Sequence, residues 1–320
     1  MVCELKTKVL HGERLEKEEI MTLVDAPLSE LTQAAEEIRK TFCKDAFDIC
    51  TIINGKSGRC SENCKFCAQS SHYDTKVETY ALLDSEKIVK QAVYNAERGV
   101  LRYSIVTSGK ALSDKEVEQV CESVQAIKKT ADIEVCISLG LLTESQFRKL
   151  KEAGASRVHN NLETSERNFP NVCTTHTYEE KIEAIKAAKR AGLSVCSGGI
   201  MGMGETMEDR IDMVLTLRAL DIHSIPVNML NAIPQTPYEK MPRLTGDDMA
   251  RIVAIFRFII PDAAIRLAGG RGLLEDKGKK CFQSGANAAI SGDMLTTSGI
   301  SIKKDMAMLK ELGYQPSLID

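Results

Sequence analysis

The sequence predicts an α/β fold, a (β/α)8 barrel of the TIM type with an N-terminal helical extension. Three observations carry this. Eight short apolar strand candidates recur along 320 residues, each followed by a polar loop and an amphipathic helix. Capping boxes mark several helix starts independently of apolar spacing. No Pro-rich or low-complexity stretch separates a second domain. Alternating strands and helices imply parallel strands with right-handed crossovers, closed into a barrel. A doubly wound open sheet is the alternative, and it needs a large second domain or a clear switch point.

Taken in order, residues 15–43 read as helices, with Leu31, Ala35, Ile38 and Phe42 on one face. This places an extension at 1–43 and the barrel at 44–320. The strand candidates are Phe47–Ile53, Arg102–Val106, Ile133–Ser138, Arg157–Asn161, Ser194–Gly198, Ser224–Met229, Ala264–Leu267 and Ala288–Ser291. Ser113 with Glu116, Thr143 with Gln146 and Thr177 with Glu180 open intervening helices; Gly154 and Gly192 close two others.

Composition narrows the function classes. Forty-two basic against 45 acidic residues leave a net charge of −3, which points away from nucleic acid and membrane surfaces. No apolar run reaches membrane-spanning length, and Met1-Val-Cys-Glu-Leu-Lys lacks a secretory apolar region. Eleven cysteines, an odd number with no export signal, argue against a disulfide framework and for a cytoplasmic chain with metal–sulfur chemistry.

That chemistry has an address. Cys60, Cys64 and Cys67 stand at C-x3-C-x2-C spacing with Phe66 before the last thiol. Three thiolates hold three irons of a four-iron, four-sulfide cube and leave one iron open to a small molecule. Structural zinc is a competing reading, but such sites usually come as two C-x2-C pairs or end in histidines. A thioredoxin-like pair leaves Cys60 unused. The triplet follows the first strand, on the catalytic side of a barrel, and Lys56-Ser-Gly58 supplies flexibility to wrap a cluster.

Cys50, Cys136 and Cys196 fall in the first, third and fifth strands. A single buried cysteine is usually a small hydrophobe. Alternate strands of a barrel contribute to one interior layer, so these three can meet and hold a second cluster. Cys3, Cys121 and Cys173 read as structural or surface thiols; Cys43 and Cys281 are outside candidates.

The triplet, with its aromatic, is the signature of the radical S-adenosylmethionine (SAM) enzymes. With Asn160-Asn161-Leu-Glu163-Thr-Ser, Val195-Cys196-Ser-Gly-Gly-Ile-Met-Gly-Met-Gly204-Glu205-Thr206, Pro226-Val-Asn228-Met-Leu and Leu295-Thr296-Thr297, the chain resembles the biotin synthase family from about Cys43 onward. The resemblance implies a homodimeric barrel that inserts sulfur into dethiobiotin. It implies SAM chelated at the open iron of a [4Fe-4S] cluster, an electron from flavodoxin or ferredoxin, and a deoxyadenosyl radical that removes hydrogen from an unactivated carbon. Sulfur then comes from an auxiliary iron–sulfur cluster that assembly proteins must rebuild.

By the same resemblance, Phe66, Glu163, His176, Gly199, Gly204 and Glu205 serve SAM, with Glu163 on the ribose hydroxyls. His159, Asn161, Asn228, Thr296 and Thr297 serve the substrate: the asparagines grip its ureido ring and the threonines its carboxylate. A solvated acid for Glu163, turn or cap roles for the asparagines, and helix caps for the threonines are the plainer readings. Cys136, Cys196 and Arg266 match auxiliary-cluster ligands.

Four positions depart from the better-known form of the family. Ser104 replaces a cysteine ligand, Cys50 replaces a serine, His176 replaces an arginine and His159 an asparagine. Cys50, Cys136 and Cys196 are therefore expected to hold a four-iron auxiliary cluster whose open iron carries an extra sulfide, with Arg266 and Arg102 as charge partners. A related radical SAM maturase or mutase, and a non-catalytic zinc or iron–sulfur protein, are the competing functions.

Overall fold

The computed structural model describes residues 1–319. Helices α1 (Val2–Leu10), α2 (Lys17–Thr22) and α3 (Leu28–Cys43) come first. Then β1 (Ala46–Lys56), α4 (Ser85–Ala96), β2 (Arg102–Thr107), α5 (Asp114–Thr130), β3 (Glu134–Ser138), α6 (Glu144–Ala153) and β4 (Arg157–His159) alternate. The second half runs α7 (Phe169–Val172), α8 (Tyr178–Arg190), β5 (Ser194–Cys196), β6 (Gly199–Met201), α9 (Met207–Ala219), β7 (Ser224–Met229), α10 (Gly246–Ile259) and β8 (Ala264–Leu267). After α11 (Lys279–Phe282) and β9 (Ala288–Ser291) come α12 (Ile302–Leu312) and β10 (Gln315–Pro316).

Every named strand pairing is parallel. The order β1-β2-β3-β4-β5-β7-β8-β9 closes where β9 returns to β1. With β6 continuing the stave of β5 and β10 pairing only with the start of β1, the barrel has the eight staves expected. All three expected capping boxes form, and Glu16 with Glu19, Thr206 with Asp209 and Thr245 with Asp248 add three more among the described residues.

Two local expectations fail for physical reasons. The fifth strand does not run unbroken to Gly198: it stops at Cys196 and resumes at Gly199. Pro226 on the neighbouring stave has no N–H to donate, and proline inside a sheet is tolerated where pairing is interrupted. The Gly198 backbone lies so close that a Cβ there would stand 2.0 Å from the Pro226 carbonyl oxygen. On α3, Leu31, Ala35 and Ile38 are buried, but Phe42 is exposed. The end of that helix buries Arg39 and Cys43 instead, because Arg39 stacks on Tyr314 with its guanidinium 4.7 Å from the ring centre.

Inside the barrel, charge replaces grease at one level. Asp48 is fully buried, with Arg102 Nε 2.9 Å and Arg266 Nη2 3.0 Å from its carboxylate and Arg157 Nη1 at 3.8 Å. The chain's last described residue joins this group: Ile319 N–H donates to Asp48 (3.2 Å), and its carbonyl accepts from Arg157 (3.0 Å). Burial alone raises a carboxyl pKa, yet the three guanidiniums hold Asp48 below the usual range.

Candidate active site

The catalytic end of the barrel opens into a cavity of about 350 Å³. Cys50, Cys136 and Cys196 all line it, each on its own stave, as the layer argument expects. Arg266 Nη1 stands 3.3 Å from Cys50 Sγ, and Ser224 Oγ donates to Cys196 Sγ at 3.3 Å. The thiols differ in acidity. Burial pushes Cys50 up to about 11 and Cys136 up to about 12. Burial pushes Cys196 the same way, but a hydrogen bond from His159, with Arg266 and Arg157 nearby, brings it down to about 6. Burial lowers the Arg266 pKa, but Cys50, Asp48 and Cys196 around it raise it overall.

Ser104 faces the same cavity, beside Cys136 in the β2–β3 register, and its buried hydroxyl has no hydrogen-bond partner among the described residues. An orphaned buried hydroxyl is costly unless something else fills the space. Three convergent soft ligands, the Arg266 guanidinium against Cys50 and that orphan fit an anionic metal–sulfur group.

The triplet sits on the loop between β1 and α4. Its backbone is tied before any metal arrives: Cys60 N–H donates to Gln69 O (3.0 Å), Ser71 N–H to Cys60 O (2.8 Å) and Cys67 N–H to Cys64 O (3.0 Å). Gly58 and Arg59 take left-handed φ of 74° and 52° to start the turn. Cys67 and Phe66 line the cavity, while Cys60 and Cys64 lie behind it, partly buried. The Gln69 side chain fixes the loop by accepting from Gly58 N–H at 2.9 Å.

Of the remaining expected residues, His159, Asn161, Glu163, Asn228, Thr296 and Thr297 line the cavity. Glu163 follows β4 with a left-handed φ of 71°, rare for a residue with a side chain and common at functional sites. Burial raises its carboxyl pKa against Lys181 and His159. Asn161 donates to Glu163 Oε2 (3.3 Å) and accepts from Gly198 N–H (3.0 Å). Asn228 donates to Gly199 O (3.1 Å) and accepts from Gly269 N–H (2.8 Å). Each amide thus braces a loop and keeps one N–H and one lone pair for a ligand. The α12 cap is Ser301, so Thr296 and Thr297 are not spent on it.

Four expected SAM residues lie off the cavity. A Cβ on Gly199 would come within 2.4 Å of Glu163 O and 2.5 Å of Met213 Sδ, so that glycine serves close packing of chain on chain. Gly204 has a left-handed φ of 91°, and Glu205 accepts from Gly202 N–H (2.7 Å) and Met203 N–H (2.6 Å) while pairing with Arg210. Together they shape the loop before α9. His176 is buried behind the triplet, its Nδ1 2.6 Å from Glu62 Oε2 and 3.3 Å from Cys173 Sγ. Cys173, expected as a structural or surface thiol, is 3% exposed and touches Cys64. Their mutual hydrogen bond pushes Cys64 up and holds Cys173 down. Thiol spacing alone had no signal for this pair. Arg157 and Ser224 were also missed, and both could have been found as polar residues at inward strand positions.

Residues 56–217 match the model of the radical SAM superfamily, and residues 226–315 match the Biotin and Thiamin Synthesis associated domain. The chain is 62% identical to the biotin synthase of Brachyspira hyodysenteriae over 315 residues, 98% of this chain and 95% of that one. It is 57% identical to the biotin synthase of Akkermansia muciniphila, over 98% of each. The chain belongs to the biotin synthase family.

Solved structures agree on the fold. Methylornithine synthase (PylB) superimposes with a TM-score of 0.85 at 20% identity, over 98% of this chain and 97% of that one. HydG, a maturase of the [FeFe]-hydrogenase, gives 0.84 at 18%, over 99% and 75%. At such identities the likeness shows the barrel alone. The cavity described above lies where β-strand ends and their loops meet. Among the described residues, no helix is long and apolar enough to cross a membrane.

Proposed function

We propose that this chain converts dethiobiotin to biotin, with three barrel thiols holding the sulfur-donating cluster. Cys60, Cys64 and Cys67 hold a [4Fe-4S] cluster with an open iron for SAM, and Cys50, Cys136 and Cys196 hold a four-iron auxiliary cluster with an extra sulfide. When bound, these groups and SAM supply the electron, the hydrogen-abstracting radical and the sulfur that an unactivated carbon requires. The observation that carries the reading is the convergence of three buried thiols and Arg266 on the cavity that Phe66 and Cys67 border.

The protein's own residues bind, orient and balance charge. The free amide positions of Asn161 and Asn228 match a neutral urea, which needs both donors and acceptors. Thr296 and Thr297 offer hydroxyls to the substrate carboxylate, and Glu163 accepts from ribose hydroxyls. Arg266 and Arg102 offset the negative charge of the auxiliary group. Apolar Ile52, Val106 and Ile290 line the same cavity and exclude water from reactive carbon. Residues 1–43 are assigned as an extension and 44–320 as the catalytic barrel. Flavodoxin or ferredoxin supplies electrons, assembly proteins rebuild the sacrificed cluster, and the chain works in the cytoplasm as a homodimer.

The test is anaerobic reconstitution, iron and sulfide quantitation, and turnover with dethiobiotin. Two four-iron clusters and biotin formation are expected. Cys50→Ala should lose the auxiliary cluster and biotin but keep reductive SAM cleavage. A single cluster in the unaltered protein, or an unchanged auxiliary signal in Cys50→Ala, sinks the proposed cluster; a product other than biotin sinks the substrate.

A further inference from the structure

Cys64 has a second set of neighbours. Its Sγ, Cys173 Sγ and a ring nitrogen of His176 all lie within 4.8 Å of one another. Around one zinc-sized ion, with metal–sulfur bonds of about 2.3 Å, tetrahedral thiolates stand about 3.8 Å apart. The group therefore approaches the spacing of a mononuclear site, whereas a four-iron cube spreads its thiolates over three separate irons.

The site is built rather than accidental. Segment 172–176 is zipped to the triplet loop through Lys65 N–H to Val172 O (3.0 Å), Asn63 N–H to Thr175 Oγ1 (3.0 Å) and Thr174 N–H to Asn63 Oδ1 (2.9 Å). Cys173 and His176 are buried, and Thr175 donates to the Glu62 carboxylate at 2.9 Å. That carboxylate lies 2.6 Å from His176 Nδ1, the same nitrogen that faces Cys173 Sγ at 3.3 Å. It is also an oxygen donor at hand for a fourth position.

The geometry points to a mononuclear site for a soft divalent cation, Zn²⁺ or Fe²⁺, at Cys64, Cys173 and His176 in the cluster-free chain. Ligand protons leave as the ion enters, and no redox change is needed. Because Cys64 serves both sites, this ion and the four-iron cluster exclude each other. Ferrous iron held here stands beside the place of assembly; zinc held here blocks it. The exclusion rests on the triplet being the cluster site, but the ion site itself does not.

The experiment uses the full chain, prepared free of clusters and titrated anaerobically with Co²⁺. Tetrahedral thiolate–cobalt absorption should develop with one equivalent. It should survive in the Cys60→Ser/Cys67→Ser double variant and weaken about tenfold or more in affinity in Cys173→Ser and in His176→Gln. Circular dichroism and urea unfolding check that these variants fold. Signal that survives Cys173→Ser and vanishes in the double variant would place the ion on the triplet and overturn the inference; so would no thiolate–cobalt signal at all. Zinc pre-loading should slow cluster reconstitution in the unaltered chain and not in Cys173→Ser. Equal slowing in both would remove the exclusion while leaving the cobalt result to judge the site.

Discussion

Arg266 Nη1 lies 3.3 Å from Cys50 Sγ, and Nη2 of the same guanidinium lies 3.0 Å from Asp48 Oδ1. One buried cation thus faces the thiol layer on one side and anchors the carboxylate beneath it on the other. Breaking a buried pair leaves an uncompensated charge, which typically costs 3–5 kcal/mol. Arg102 keeps part of the Asp48 pairing, so Arg266→Ala should destabilise the cluster-free protein by about 3 kcal/mol in urea unfolding. Arg266→Lys should cost less. Equal stability of Arg266→Ala and the unaltered chain would mean that Asp48 does not depend on this partner.

Glu163 should separate function from stability. Its left-handed backbone suits glycine, so Glu163→Gly should stay within about 1 kcal/mol of the unaltered protein. Loss of its charged acceptor should weaken SAM binding by at least about tenfold, read by equilibrium dialysis. Glu163→Val should lose about 2 kcal/mol, because a β-branched residue strains that φ. Undiminished SAM binding in Glu163→Gly would remove the ribose role.

Two glycines make a paired test of packing. Gly198→Ala drives a Cβ to 2.0 Å from the Pro226 carbonyl oxygen, which side-chain motion cannot relieve. A loss of about 2 kcal/mol or more follows. A Cβ on Gly246, at the first turn of α10, would meet nothing within 4 Å among the described residues, and Gly246→Ala should be neutral or gain up to about 1 kcal/mol. Thermal melts of both variants decide.

Asp209 sets an acid limit on the fold. It is 1% exposed; burial raises its pKa, but Ser165 Oγ at 2.6 Å, the Thr206 N–H and Arg167 bring it from 3.8 down to about 2. A carboxyl depressed on folding contributes stability above its unfolded pKa and loses it as pH falls through the folded one. The contribution is therefore full above pH ~4 and disappears toward pH ~2. Asp209→Asn should cost about 2 kcal/mol at pH 7 and flatten the stability curve across that window. An unchanged slope in urea unfolding between pH 4 and pH 2 would contradict this.

Much of this was readable in the chain. Local spacing marked all eight staves, because strand alternation and helix caps depend on neighbours a few residues apart. The layer rule for barrels then predicted that Cys50, Cys136 and Cys196 would share one interior, and the cavity contains all three. The substrate-facing candidates Asn161, Asn228, Thr296 and Thr297 reached the same cavity from three separate strand ends and loops.

Where spacing carried no information, closure of the barrel decided. The break between β5 and β6 depends on Pro226, a residue of another stave, pressing on Gly198. His176 and Glu205 turned toward neighbouring loops, since motif position does not say which way a side chain faces. The thiol triplet, its order and its aromatic are properties of eight consecutive residues, so the chain alone specified them. That Cys64 lies against Cys173 and His176, and that Asp48 gathers Arg102, Arg157 and Arg266, follows only once distant staves and loops meet, because contacts across such separations are set by packing and carry no local signature.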